Sequence, residues 1–572
     1  MNRNLILRFR SFSTQGRISI GREEGTAHQP CIVVRPVEQP QETGGAALVR
    51  ALVSSGISRM FGIPGTHTVP IYKALEANSR EIQHVLTRHE QGAGFAAEGY
   101  ARASGDVAAV CTVSGIGLTN MLTSMANAMA DSVPMVVISS EVPLYWHGRP
   151  SRQYSHQVRN LSSVVDGNFA KASLHVTDAN EIFACTVEAV ELAKRGRPGP
   201  VHINVGIDAL VQEVDAPPAP RLSEAPQPSR WEAVNRPQLN RPYLPPCPAE
   251  KPQKKQRASE QRREQQQRQL RVAARRLSDC RYPLIVAGGG CKGDGGCGGS
   301  AAALVRQLAE QLGAPVLTTV AGKGVLPEDH FLSGGSRLHF PAMQRALLAK
   351  ADGVLLLGTQ LSPTDYWQFQ HDKEVPVPFN ANTLHVNLDA QNLEEVGVAA
   401  RGGTALQADV ADVCGALLSE PSLTARSCPT WDGDVEGCVS RAVSMTESRR
   451  NMTDHLMFDF ESPASGGDQM CRTLAMLRGA LGSDSPLVAD VCRIGYTALS
   501  SFPVSKPRKF IYPVGTTTLG AGLPMAIGAA VANPGTCVGL VAGDGGFQFT
   551  MPELSVAVAE KLPLLMAVWN DA

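Results

Sequence analysis

The feature that most constrains this chain is a rhythm repeated in three stretches, at residues 44–214, 276–418 and 469–572. In each, short β-branched runs ending in small or polar residues alternate with segments of helical period. Strands separated by a helix cannot pair through a tight hairpin, so they must return by crossovers and lie parallel. In the first stretch Gly45–Ser54 has a helical pattern, and Gly56–Gly62 reads as a strand entering a turn. Val107–Val113 and Pro134–Ser139 read as further strands. The second stretch offers strands at Tyr282–Ala287, Pro315–Val320, Asp352–Gly358 and Thr383–Asn387, with a helix at Ala301–Leu312. The expected fold is α/β, with three doubly wound parallel-sheet domains. Between them, residues 215–275 are proline-rich and then rich in Lys, Arg and Gln. That pattern reads as an extended linker leading into a solvated helix that reaches Leu270–Leu277. Residues 419–468 read as a second, irregular linker.

Charge narrows the partners. Lys+Arg and Asp+Glu are both 53, so there is no basic excess for a phosphate backbone, and aromatics at 5% are too few for base stacking. No nucleic-acid partner is expected. No membrane partner is expected either, because Asn533-Pro534-Gly535 breaks the apolar run Leu523–Ala542 into two elements. The 13 cysteines contain no CxxC pair, which argues against a disulfide framework and a structural zinc site; Cys291 and Cys297 are the only close pair. The first 43 residues form a tail. Arg3, Arg8, Arg10 and Arg17 stand among Ser and Thr, with no acid before Glu23. This is the composition of a mitochondrial or plastid transit peptide; a cytoplasmic chain with an ordinary tail is the alternative.

Chemistry concentrates near the C-terminal end. Cys537–Ala542 reads as a strand, Gly543-Asp544-Gly545-Gly546 follows, Met551–Leu562 has helical period, Pro563–Trp569 reads as a strand, and Asn570-Asp571 comes next. A right-handed crossover ends both strands on one sheet edge, which brings Asp544 and Asp571 together where α/β ligands bind. Oxygen ligands with glycines between them suit Mg²⁺ shared with a diphosphate; a plain turn fits the spacing as well. A second copy, Gly293-Asp294-Gly295-Gly296, has Ala321 at the position equivalent to Asp571 and so has no second ligand. A further segment, Thr87–Arg102, reads as a helix of small residues with one acid, Glu90, near its start. Taken alone, that acid is explained by the helix dipole.

Together these segments resemble the thiamine-diphosphate enzymes that include acetolactate synthases and 2-oxo acid decarboxylases. Thr87–Arg102 is similar to the helix bearing their cofactor-activating glutamate. Gly543–Asp571 is similar to their GDG and double-Asn motif, with Asp571 where the second Asn stands. Phe61-Gly62-Ile63-Pro64-Gly65, Ser114-Gly115-Ile116-Gly117 with Asn120, and Leu519-Gly520-Ala521-Gly522-Leu523-Pro524 resemble further family segments, Ile116 replacing a proline. The resemblance implies pyrimidine-binding, central and diphosphate-binding domains. The last is expected to be incomplete, because the family motif continues past Ala572. Glu90 would activate thiamine diphosphate through N1′ of its pyrimidine, as general acid–base chemistry relayed through the cofactor. His67 would face the substrate. Gly65, Leu519, Gly543, Asp544, Gly545, Gly546 and Asp571 would contact the cofactor, and Asp544 and Asp571 would ligate Mg²⁺. The substrate would be a small 2-oxo acid and the assembly a homodimer or tetramer. The arginines that accompany FAD in acetolactate synthases are missing from Gly358–Tyr366, which argues against FAD. The pattern looks closest to the branch that holds 2-ketoarginine decarboxylase. Acetolactate synthase and a non-catalytic homologue serving as an interaction partner are the alternatives.

Overall fold

The protein is represented by a computed structural model that describes residues 42–113, 115–143, 164–215, 252–293, 300–362, 365, 379–424, 431–449 and 467–570. The transit-peptide segment, the proline-rich part of the first linker, Ser114, Asp294–Gly296, Cys297 and Asp571 lie outside the described residues.

Three parallel sheets form. The first contains β1 (Arg59–Gly62), β2 (Gln83–Leu86), β3 (Ala108–Val113), β4 (Met135–Glu141), β5 (Ser173–Val176) and β6 (Pro200–Gly206), in the order β2-β1-β3-β4-β6-β5. Every residue of β4 and β6 is buried, as expected of strands covered by helices on both faces. The central sheet contains β7 (Pro283–Ala287), β8 (Val316–Thr318), β9 (Ser333–Gly335), β10 (Gly353–Leu357), β11 (Leu384–Asn387) and β12 (Thr404–Gln407), in the order β12-β11-β10-β7-β8-β9. The third has four strands, β13 (Leu487–Ala489), β14 (Phe510–Ile511), β15 (Val538–Gly543) and β16 (Leu564–Trp569), in the order β14-β13-β15-β16.

Each sheet has a point where the chain turns to build in the opposite direction, between β1 and β3 in the first, between β10 and β7 in the second and between β13 and β15 in the third. Helices leave to opposite faces on either side of such a point, and a crevice opens beyond the strands' carboxyl ends. The candidate residues cluster at the first and third of these points.

The first and third domains share one apolar core. Phe95, Ala96 and Tyr100 pack with Leu523, Met525, Ala526 and Ile527. The contact is the crossing of the Glu90–Ser104 helix with the Gly522–Ala532 helix. Their backbones touch: a Cβ on Gly99 would fall 2.1 Å from the Met525 carbonyl, and one on Gly528 would fall 1.8 Å from the Ala96 carbonyl. Polar bonds flank the crossing. Thr516 donates to Asn127, and the Val514 N–H donates to Asp131, which also pairs with Arg102.

Both linkers contain more structure than their composition suggests. The solvated helix runs from Pro252 to Asp279, and its Leu270, Ala273, Ala274 and Leu277 are buried in the central core. The second linker is not irregular throughout. It carries the Val435–Arg449 helix, preceded by Trp431, which is 1% exposed with its indole N–H bonded to the Pro283 carbonyl at 3.0 Å. One tryptophan and a Val439–Ala442 spacing are enough to anchor a helix that is otherwise polar.

Candidate functional site

At the first reversal point, Glu90 opens the Glu90–Ser104 helix. His89 is its N-cap, in an extended conformation, and the His89 ring accepts the Gln91 N–H at 3.2 Å. An acid in the first turn is favoured by the helix dipole, yet Glu90 does more than face water. It is half-buried, and its Oε2 accepts a hydrogen bond from Asn120 Nδ2 at 3.0 Å. Its Oε1 lies over Gly117, where an added Cβ would come within 3.5 Å. Gly65 packs on Val113 so closely that a Cβ would fall 2.1 Å from Cγ1. Gly65, Val113, Gly117 and Glu90 thus form one continuous patch at the ends of β1 and β3. His67 lies in the adjoining Thr66–Thr68 turn, where it is 5% exposed; Ser140 donates to its carbonyl. Burial lowers the pKa of its ring, so it is held neutral. A turn histidine exposed to water is therefore ruled out.

At the third reversal point the glycines differ from the sequence expectation. Gly543 ends β15 as an extended N-cap, and Asp544-Gly545-Gly546 are the first turn of a helix, Asp544–Thr550, rather than a loop before one at 551–562. Pro552 breaks the run, giving a 3-10 turn at Met551–Glu553 and a helix at Leu554–Ala559. Asp544 and Gly545 are exposed, and no atom lies within 4 Å of where a Gly545 Cβ would be. Gly546 is buried beside Asp490. β15 and β16 run in register with Gly543 opposite Trp569, so Asn570 follows on the same edge. The sheet geometry expected from the crossover is present as far as the described residues extend. Among these residues no three His, Cys, Asp or Glu groups converge on a metal position.

Leu519 is 48% exposed, which excludes a core role. Its turn is fixed from two sides. The Gly520 N–H donates to both oxygens of Asp490, at 3.1 and 3.0 Å, and Thr550 Oγ1 donates to the Gly520 carbonyl at 2.8 Å. Gly520 has φ +81°, a conformation that favours glycine. Asp490 is 1% exposed, and burial raises its pKa to about 6.

The two edges meet. Gln91, Thr123 and Ala126 from the first domain line a cavity of about 420 Å³ with Thr516, Thr518, Leu519 and Phe549 from the third. The Glu553 carboxylate accepts the backbone N–H of Arg88 at 3.1 Å and of His89 at 2.9 Å. The surroundings thus offer an exposed carboxylate with open space at Asp544–Gly545, an exposed apolar side chain at Leu519 and a half-buried carboxyl at Glu90. Sequence reasoning did not single out Asp490 or Glu553. Asp490 follows a short strand at a reversal point and could have been found from topology. Glu553 carries no sequence signal of its contact, because its partners are more than 460 residues away.

Comparison with known families matches all three domains in chain order. The model described as thiamine pyrophosphate enzyme, N-terminal TPP binding domain, covers residues 42–163. The central-domain model covers 270–417, and the C-terminal TPP binding domain covers 491–572. The chain belongs to the thiamine pyrophosphate enzyme family. It is 32% identical over 538 residues to a probable 2-ketoarginine decarboxylase of Pseudomonas aeruginosa, covering 93% of this chain and 83% of that protein. It is 29% identical to an acetolactate synthase of Mycobacterium bovis, covering 93% and 76%. To an acetolactate synthase large subunit of Lactococcus lactis it is 28% identical, covering 94% and 82%. This thiamine pyrophosphate enzyme is thus similar to both groups of relatives over more than nine-tenths of its length.

Proposed function

We propose that this enzyme uses thiamine diphosphate and Mg²⁺ to decarboxylate a 2-oxo acid. The observation that carries the reading is the half-buried Glu90 carboxyl, held by Asn120 at the first reversal point, with its neighbour Gln91 lining one cavity with Leu519. Bound thiamine diphosphate supplies a nucleophilic carbon and an electron sink. Glu90 holds or releases a proton at the pyrimidine N1′. Asp544, with Asp571, offers carboxylate oxygens to Mg²⁺, and Gly543 and Gly545 let backbone approach the diphosphate. Leu519 presents an apolar side chain between the two ends. His67, neutral and buried, is suited to donate or accept a single hydrogen bond at the substrate's carbonyl or carboxylate.

The similarity to a probable 2-ketoarginine decarboxylase favours decarboxylation, and a guanidino 2-oxo acid belongs in the first substrate panel. The acetolactate synthase relatives support carboligation as the second reading. A homodimer is supported by apolar residues left exposed around both edges, Ile116 at 76% and Phe549 at 69% among them. The Arg- and Ser-rich first residues support import into a mitochondrion or plastid, which cell fractionation would check. Titration calorimetry with thiamine diphosphate, with and without Mg²⁺, followed by CO₂ and acetolactate assays, tests the reading. Mg-dependent binding with CO₂ release supports decarboxylation, and acetolactate formation supports the synthase. No binding by folded protein overturns both and leaves a non-catalytic relative.

A further inference from the structure

The segment 544–553 bridges the two domains at the candidate site. It begins with Asp544, Thr550 in its middle bonds to the Leu519 turn, and Glu553 ends it against the residues just before Glu90. The last contact is unusual in kind. Glu553 is 2% exposed, and a carboxylate that deep is costly unless hydrogen-bonded. Its Oε1 takes the N–H groups of both Arg88 and His89, and Oε2 approaches Arg88 N at 3.3 Å. Gly92, in the first turn of the helix, completes the seat, since a Cβ there would fall 2.3 Å from Oε1. The two bonded amides immediately precede Glu90, so they set the direction in which the helix starts and where its first carboxyl points.

We propose that Glu553 is a positioning residue that holds the Glu90 carboxyl through the Arg88–His89 backbone and ties it to the diphosphate-binding segment. It rests on the cofactor reading above, but its first test does not. Glu553→Gln presents an amide N–H where two N–H donors already point, and Gly92→Ala displaces the same carboxylate from the helix side. In both variants amide hydrogen exchange at Arg88 and His89 should quicken about tenfold or more, the loss expected for one charge-assisted hydrogen bond, while the sheet strands keep their protection. Unchanged exchange at these two amides would overturn the proposal, whether or not the protein binds cofactor. In cofactor-loaded protein, deuterium exchange at the cofactor's C2 should slow about tenfold or more in Glu553→Gln. Thiamine diphosphate affinity should stay within about threefold, a split that general loosening of the fold would not give. Loosened amides with unaltered C2 exchange would reduce Glu553 to a structural contact and also refute the role. If Glu553→Gln does not fold, Gly92→Ala and Glu553→Asp decide by the same two readouts.

Discussion

The central and third sheets reverse strand order in the same way, yet their carboxyl edges are finished in opposite ways. Between β7 and β10 the backbone closes on itself. The Gly290 N–H bonds to the Gly358 carbonyl at 2.9 Å, and a Cβ on Gly288 would fall 2.4 Å from that same oxygen. Between β13 and β15 the edge is open, with Asp544 exposed and free space over Gly545. Both edges are rich in glycine, so glycine alone does not mark a binding crevice. In one case its missing side chain lets strands' ends touch, and in the other it leaves room for something else.

If the open edges bind and the closed edge only supports, substitutions should sort accordingly. The largest effect is expected at Glu90. Glu90→Gln should lower cofactor-dependent turnover by about 100-fold or more, with thiamine diphosphate affinity little changed in calorimetry. Asp544→Ala should weaken Mg-dependent cofactor binding by at least about tenfold and leave the melting temperature of the cofactor-free protein unchanged. Gly288→Ala should do the reverse: unfolding stability falls by about 1–3 kcal/mol as the closed edge is forced apart, whereas Gly545→Ala stays within about 0.5 kcal/mol. Denaturant titration of the pair would break the comparison if their order were reversed. The smallest effect concerns His67. Its pKa is lowered in the folded chain, so the unfolded chain takes up the proton first. The neutral ring therefore contributes stability above about pH 6.5 that is lost as pH falls below it, by at most about 1.4 kcal/mol per pH unit. His67→Gln should flatten that part of the stability–pH curve.

Much of this was legible in the sequence, because strands buried on both faces and helices of small residues leave strong local patterns. Three parallel sheets, Glu90 at a helix start and the β15–β16 crossover all follow from such patterns. What was not legible depends on distant partners. The Trp431 segment looked like a linker because one aromatic and a short apolar spacing are weak signals until a sheet lies beneath them. Glycines at 543–546 read as a loop, although with Gly543 as the N-cap, Asp544, Gly545 and Gly546 start a helix. Asp490 and Glu553 are single acids in ordinary surroundings, and only the fold shows which backbone amides they receive.

The crossing of Gly99 and Gly528 also bears on how the chain is made. The first domain's glutamate helix is packed against a helix encoded more than 400 residues later. At about 5–20 residues per second, synthesis leaves the apolar face of the Glu90–Ser104 helix without its partner for on the order of tens of seconds. Over that interval the nascent chain presents an unpaired apolar face, and a chain cut short between the two helices would keep that seam exposed.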